Sequence, residues 1–141
     1  MSARIGLDTN VLARYYVEPS DEPAERRQCQ LARQLIDSGR PLSVCKTVLL
    51  ELEWVLRGYY RHAPAEIARA LAHLVALPHV DIEARTQVEA ALRNYADGLD
   101  FADALHHASY GECVQLSSFD DKSFARRARK LGLSPSVVLP R

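Results

Sequence analysis

The chain alternates short apolar runs with longer stretches in which apolar side chains recur every three or four positions. The first run, Arg4-Ile5-Gly6-Leu7, reads as a strand and stops abruptly at Asp8-Thr9-Asn10. A helical pattern follows from Val11 to Val17, and Pro19 to Pro23 is a loop. Ala24 to Asp37 predicts a helix with Leu31, Ala32, Leu35 and Ile36 among its apolar positions and Ser38-Gly39 as its stop. Leu42 to Cys45 predicts a second strand. Thr47 to Tyr60 predicts a helix with Val48, Leu49, Leu52, Val55, Leu56 and Tyr59 on one side. Pro64 opens another helix, which runs to about Ala76 before Pro78 breaks it. Val80 to Ile82 is a short third strand, and Ala84 to Tyr95 an amphipathic helix ended by Asp97-Gly98. Leu99-Asp100 opens a helix to about Tyr110, and Cys113 to Ser118 predicts a strand that runs into Phe119-Asp120-Asp121. A helix from Lys122 to Leu131, with Phe124, Ala128 and Leu131 inward, and a strand from Val137 to Leu139 complete the chain.

Strands that alternate with helices predict an α/β fold around a mostly parallel sheet. Patterning does not give the strand order. With 141 residues and no internal repeat or linker, the expectation is one domain over 1–141.

Composition narrows the function classes. Apolar residues make up 48% and charged residues 26%, as in ordinary globular proteins. Eighteen basic and eighteen acidic residues cancel, so a nucleic-acid partner has to be held by a local patch. No signal peptide and no long apolar stretch is present, so a cytoplasmic location without membrane attachment is expected. Cys29, Cys45 and Cys113 lack CxxC spacing and are expected to be small buried hydrophobes.

The acidic residues change the picture most. Asp8 ends the first strand and Asp120 ends the fourth, while Asp100 and Asp103 lie in the first turn of their helix. The helix from Thr47 carries Glu51 and Glu53, which the helical wheel does not separate. Glu53 has Arg57 four positions on, the spacing of an exposed ion pair. Glu51 has no cation one turn on, and an unpaired acid among apolar neighbours is costly. Glu51 is therefore the functional candidate. Parallel strands put their carboxyl ends on one sheet edge, where ligands gather. Carboxylates that meet there repel and raise one another's pKa, and a hard cation such as Mg²⁺ resolves the conflict. Such a site activates water for attack on a phosphoryl group without a protein nucleophile. No GxSxG and no Gly-rich phosphate loop offers another chemistry. Each acid also has a plainer reading: Asp8, Asp100 and Asp120 or Asp121 suit helix caps, Asp103 suits the helix dipole, and Glu51 reaches solvent at the edge of its face.

Leu7-Asp8-Thr9-Asn10, Val48 to Leu56 around Glu51, Asp100-Phe101-Ala102-Asp103-Ala104-Leu105-His106 and Ser118-Phe119-Asp120, in that order, resemble the PIN-domain family. In particular they resemble the VapC-type toxin ribonucleases of bacterial toxin–antitoxin pairs. It implies a three-layer α/β/α sandwich with a central, mostly parallel sheet of four to five strands, and Mg²⁺- or Mn²⁺-dependent endonucleolytic cleavage of RNA. It further implies Asp8, Glu51, Asp103 and Asp120 as metal-holding acids and Asp100 as an auxiliary ligand. Thr9 or Asn10 would orient Asp8 or a water. Ser118 stands where the family often has threonine and keeps the hydroxyl. Asp121, beside Asp120, leaves open which of the two serves the metal. A small antitoxin inserting a segment near the site and a homodimer are the implied partners.

Other features have less pointed readings. The basic side chains of the last helix suit RNA phosphates or a solvated face. His106 and His107 are expected to be packing or surface residues, and Trp54, Tyr59 and Tyr60 core or dimer residues. Two other functions compete. One is a catalytically inactive RNA-binding or adaptor protein on the same fold. The other is a small phosphatase with Asp8 as nucleophile, for which the second acid is missing at Asn10.

Overall fold

A computed structural model describes residues 3–141. The chain folds as two compact units that divide between Ala84 and Arg85. The fold class is α/β, as expected. Among the described residues seven α-helices and five short strands follow one another, and every strand pair is parallel. The strands form a three-stranded sheet in the first unit and a two-stranded sheet in the second. The ladder is thus divided three plus two where one sheet of four to five strands was expected, because strands of two or three residues pair only with their immediate partners.

The first unit opens with β1 (Ile5–Gly6), which pairs with β2 (Leu42–Val44), and β2 pairs with β3 (Val80–Ile82). Register sets Ile5 beside Leu42 and Gly6 beside Ser43, and the Leu7 N–H still donates to the Ser43 carbonyl at 3.0 Å. The backbone pairing therefore reaches the residue before Asp8. Helix α1 (Thr9–Tyr16) starts two residues earlier than its apolar pattern, because Asp8 caps it. Helix α2 (Pro23–Ile36) ends before Gly39, whose φ of +79° is the left-handed conformation a glycine stop requires. Helix α3 (Lys46–Gly58) buries Leu49, Leu52 and Leu56, and α4 (Pro64–Ala76) buries Ile67, Leu71 and Leu74. Proline at the first position of α4 costs no hydrogen bond there. These side chains, with Leu12, Ile36, Leu42 and Val80, are the core of the unit.

In the second unit α5 (Arg85–Ala96) packs against α6 (Phe101–Ser109), and the Tyr95 and Phe101 rings meet edge to face at 5.3 Å. β4 (Gln115–Ser117), shorter than its expected run, pairs with β5 (Ser136–Val138), which is shifted by one residue from the expected Val137 to Leu139. The expected helix from Lys122 to Leu131 is two pieces. Asp121–Ala125 is a π-helical turn in which the Ala125 N–H donates to the Asp120 carbonyl at 3.0 Å, and α7 (Arg126–Lys130) follows. Phe124 and Ala128 are buried as expected, but Leu131, at the helix end, is half-exposed.

The expectation of three buried cysteines fails at two of them. Cys29 is buried, whereas Cys45 and Cys113 are exposed, since they lie in the turns outside β2 and β4 and not within the apolar ladder. Among the described residues no helix is long and apolar enough to cross a membrane.

Candidate active site

Asp8 sits where β1 gives way to α1. Its Oδ1 accepts a hydrogen bond from the Thr9 N–H at 2.8 Å, and its other oxygen makes none. The cap and a ligand role are compatible, because capping uses one carboxylate oxygen and fixes the side chain that carries the other. Asp8, Thr9, Asn10 and Glu51 line one cavity of about 380 Å³ in the first unit. Thr9 is only 5% exposed, and its hydroxyl is a buried side-chain polar atom with no hydrogen-bond partner. Such an orphan is costly unless something in the cavity satisfies it.

The two glutamates of α3 are sorted by burial. Glu53 is 3% exposed and pairs with Arg57, one turn on, at 2.9 Å. The pair exists as the spacing predicts, but it is largely buried on the glutamate side, contrary to the expected exposed pair. Glu51 is exposed and faces the cavity with Asp8. The reason given for suspecting it, apolar surroundings, is therefore incorrect, although its place beside Asp8 in one cavity suits the role assigned to it.

In the second unit Asp100 caps α6, with Oδ2 accepting from the Asp103 N–H at 3.2 Å. Asp120 caps the π-helical turn, with Oδ1 accepting from the Ser123 N–H at 3.0 Å. Ser118 holds Asp120 in turn, its hydroxyl accepting from the Asp120 N–H at 3.0 Å. Partial burial raises the Asp103 carboxyl above its ordinary pKa, and the negative charges of Asp100 and Asp120 raise it further, against a small opposing pull from His106. Asp100, Asp103 and Asp120 therefore share one electrostatic environment. Asp121 is turned elsewhere, to Arg129 at 3.3 Å, so of the two neighbours Asp120 is the one that acts on Asp103. His107 is buried, with Nε2 at 2.9 Å from the Pro135 carbonyl oxygen, and His106 is exposed, in line with packing and surface roles.

Three aromatics lie outside the core, the first of the two places expected for them. Trp54 and Tyr59 are 63% and 75% exposed, Tyr60 is half-exposed, and all three line the Asp8–Glu51 cavity. They do not belong to the core, because α3 buries its Leu49–Leu52–Leu56 stripe instead. Arg14, a residue the sequence reading passed over, lines the same cavity. Its spacing was the available signal, since it lies one helical turn after Asn10.

A model of the PIN domain matches residues 5–130. The chain belongs to the PIN-domain family. No curated protein and no solved structure matches it significantly. PIN domains are generally nucleases, typically with divalent metals, and nuclease chemistry on a phosphodiester is the coarse function that follows from membership. Among the described residues of this PIN domain, no three histidine, cysteine or acidic side chains are grouped closely enough to hold an ion by themselves. The donor chemistry nonetheless fits a hard cation. Every candidate is an oxygen donor, and Mg²⁺ usually takes only one or two carboxylates and keeps several waters. The orphan Thr9 hydroxyl is a natural partner for such a water.

Proposed function

We propose that this PIN domain is a metal-dependent endoribonuclease that acts as the toxin of a toxin–antitoxin pair in the cytoplasm. The observation that carries the nuclease reading is the cavity in which Asp8 and Glu51 stand beside a buried, unpartnered Thr9 hydroxyl. The toxin assignment rests on the resemblance of the four motifs to VapC-type chains. In this reading residues 1–141 are one nuclease domain, and Asp8, Glu51, Asp103 and Asp120 hold Mg²⁺ or Mn²⁺ for one reaction, with Asp100 as auxiliary. A divalent ion supplies Lewis-acid charge for the phosphoryl oxygen and acidifies a water.

The rest falls to the side chains. Asp8 offers its uncapped oxygen in a fixed direction, because the Thr9 N–H restrains the other. Thr9 or Asn10 orients Asp8 or a water beside it. Ser118 keeps Asp120 in place through the Asp120 N–H. Asp103, whose carboxyl is held above its ordinary pKa by burial and by Asp100 and Asp120, would have its charged form favoured by a bound cation. The partners in this reading are RNA, a small antitoxin that inserts a segment near the site, and a second copy of the chain.

The test is cleavage of a labelled RNA by the purified protein with Mn²⁺, with EDTA, and with Asp8→Asn. Cleavage should need the metal and fall at least about a hundredfold in the variant, as when a member of a concerted catalytic set is removed. Induced expression should arrest growth, and Asp8→Asn should relieve the arrest at equal protein level and equal thermal midpoint. Undiminished cleavage by Asp8→Asn defeats the proposal. A wild-type protein that neither cuts RNA nor binds Mn²⁺ by calorimetry is a PIN-fold binding protein instead.

A further inference from the structure

Among the described residues His107 is the only buried histidine, and it lies one turn after Asp103 on the same face of α6. Phe101, Ala104 and Leu105 of that helix are buried and apolar. An imidazole in such company gives up hydration that an apolar side chain never had. One bond offsets that cost. Nε2 stands 2.9 Å from the carbonyl oxygen of Pro135, itself a buried residue. A carbonyl only accepts, so Nε2 carries the proton and donates. The bond ties α6 to the residue that immediately precedes β5. From β5 the connection continues to the other acid. The Val138 carbonyl accepts from the Ser118 N–H at 2.9 Å, and the Ser118 hydroxyl accepts from the Asp120 N–H at 3.0 Å. A path of hydrogen bonds and short backbone stretches thus runs from the helix of Asp103 to Asp120, and its ends meet again where the Asp120 charge acts on Asp103. The packing of α6 on α5 buries apolar surface, which is non-directional, whereas a buried hydrogen bond fixes distance and angle.

We infer that His107 is a positioning residue for the nuclease site, its Nε2–H setting the separation of Asp103 from Asp120 through the Pro135 carbonyl. The inference rests on the nuclease reading, in which those two acids serve the metal, and adds a residue outside the acids on which their spacing depends. The plain alternative is that His107 only fills space in the core. The two roles differ in what they require at this position. Filling requires volume, and positioning requires a donor at the tip of the side chain.

Three substitutions separate these roles. His107→Gln keeps an N–H donor near the place of Nε2. His107→Asn puts its amide near the place of Nδ1, short of the Pro135 carbonyl. His107→Phe keeps the volume without a donor. Cleavage of a labelled RNA with Mn²⁺ is measured below the melting range of every variant, so that all are compared as folded proteins. In His107→Asn and His107→Phe kcat should fall about ten- to hundredfold with KM nearly unchanged, because spacing of the acids matters to the transition state more than to RNA binding. His107→Gln should recover most of that loss. Mn²⁺ affinity by calorimetry, without RNA, should follow the same order and fall about tenfold in His107→Asn, as when a support of metal ligands is removed. The thermal midpoint should drop in His107→Asn and His107→Phe, since the Pro135 carbonyl loses its partner, but either role predicts that drop and it only sets the assay temperature. Wild-type kcat and Mn²⁺ affinity in His107→Phe, or equal losses in His107→Gln and His107→Asn, overturn the positioning role while leaving RNA cleavage by the wild type intact. If His107→Phe does not fold, the comparison of His107→Gln with His107→Asn decides alone. Mn²⁺ affinities in the expected order without RNA cleavage by the wild type defeat the nuclease reading and leave the positioning role standing.

Discussion

Glu51 and Glu53 stand two positions apart on α3 and have opposite fates. Glu53 is buried and bonded to Arg57, so its carboxylate stabilises the helix; Glu51 reaches the cavity. Glu53→Gln should cost about 1–2 kcal/mol, the worth of charge-assisted hydrogen bonds to a half-exposed arginine, with RNA cleavage retained below the melting range. Glu51→Gln should leave the denaturation midpoint in place and remove cleavage. Interchanged results would assign the catalytic role to the wrong glutamate. Asp103 adds a pH dependence. Its folded-state pKa lies above the ordinary 3.8 because of burial first, then Asp100 and Asp120. The folded protein therefore holds this proton over a pH range where the unfolded chain has lost it. The contribution to stability is full below 3.8 and is lost as pH rises through the raised value. Asp103→Asn should accordingly raise the thermal midpoint of metal-free protein at pH 7. Mn²⁺ should stabilise the wild type and have much less effect on the variant. A lower midpoint for metal-free Asp103→Asn would remove this account of the residue.

The π-helical turn at Asp121–Ala125 shows how an element sorts chemistry. A fifth residue in the hydrogen-bonded turn, closed from Ala125 to Asp120, accompanies the divergence of two adjacent carboxylates, Asp120 bonded to the Ser123 N–H and Asp121 to Arg129. Such turns recur at functional sites. Asp120→Ala should cost about 1 kcal/mol as a lost cap and remove cleavage as well. Asp121→Ala breaks only a half-exposed ion pair and should change stability by less than about 0.5 kcal/mol with cleavage kept. Loss of cleavage in Asp121→Ala alone would transfer the role to that residue. The sequence showed a helix here because Phe124 and Ala128 are four apart, a spacing that the turn does not disturb. What apolar spacing carries, it carries well: every expected strand and helix has its counterpart, the last helix as a π-helical turn followed by α7, and no end moves by more than two residues. Glycine stops after α2 and α5 were legible for the same reason, since the left-handed backbone at Gly39 and Gly98 needs that residue type. Burial within a helix was less legible. Glu51 and Glu53 lie at equal angles to the apolar stripe, and only the packed neighbours of α3 decide between them. Strand pairing was not legible at all, because two- and three-residue strands carry too little pattern to specify partners.

At the scale of the whole molecule, the match to the PIN domain runs through the division at Ala84 and Arg85, while the candidate acids are shared out between the units, Asp8 and Glu51 in one and Asp100, Asp103 and Asp120 in the other. Sequence order made this set readable, and service of the acids of both units in one reaction is a matter of their energetic coupling. A double-mutant cycle answers that. Groups that work as a unit are strongly non-additive, because the first removal already disables the set. Residues without shared partners give effects that add. Asp8→Asn and Asp103→Asn should each reduce kcat/KM for RNA by at least about a hundredfold, and the double variant should be scarcely worse than either. Mn²⁺ affinity should follow the same pattern, with most of the loss in the first substitution. Multiplied losses, near ten-thousandfold in the double variant by simple additivity, would mean that the two acids act independently, and the single-reaction assignment would then have to be abandoned.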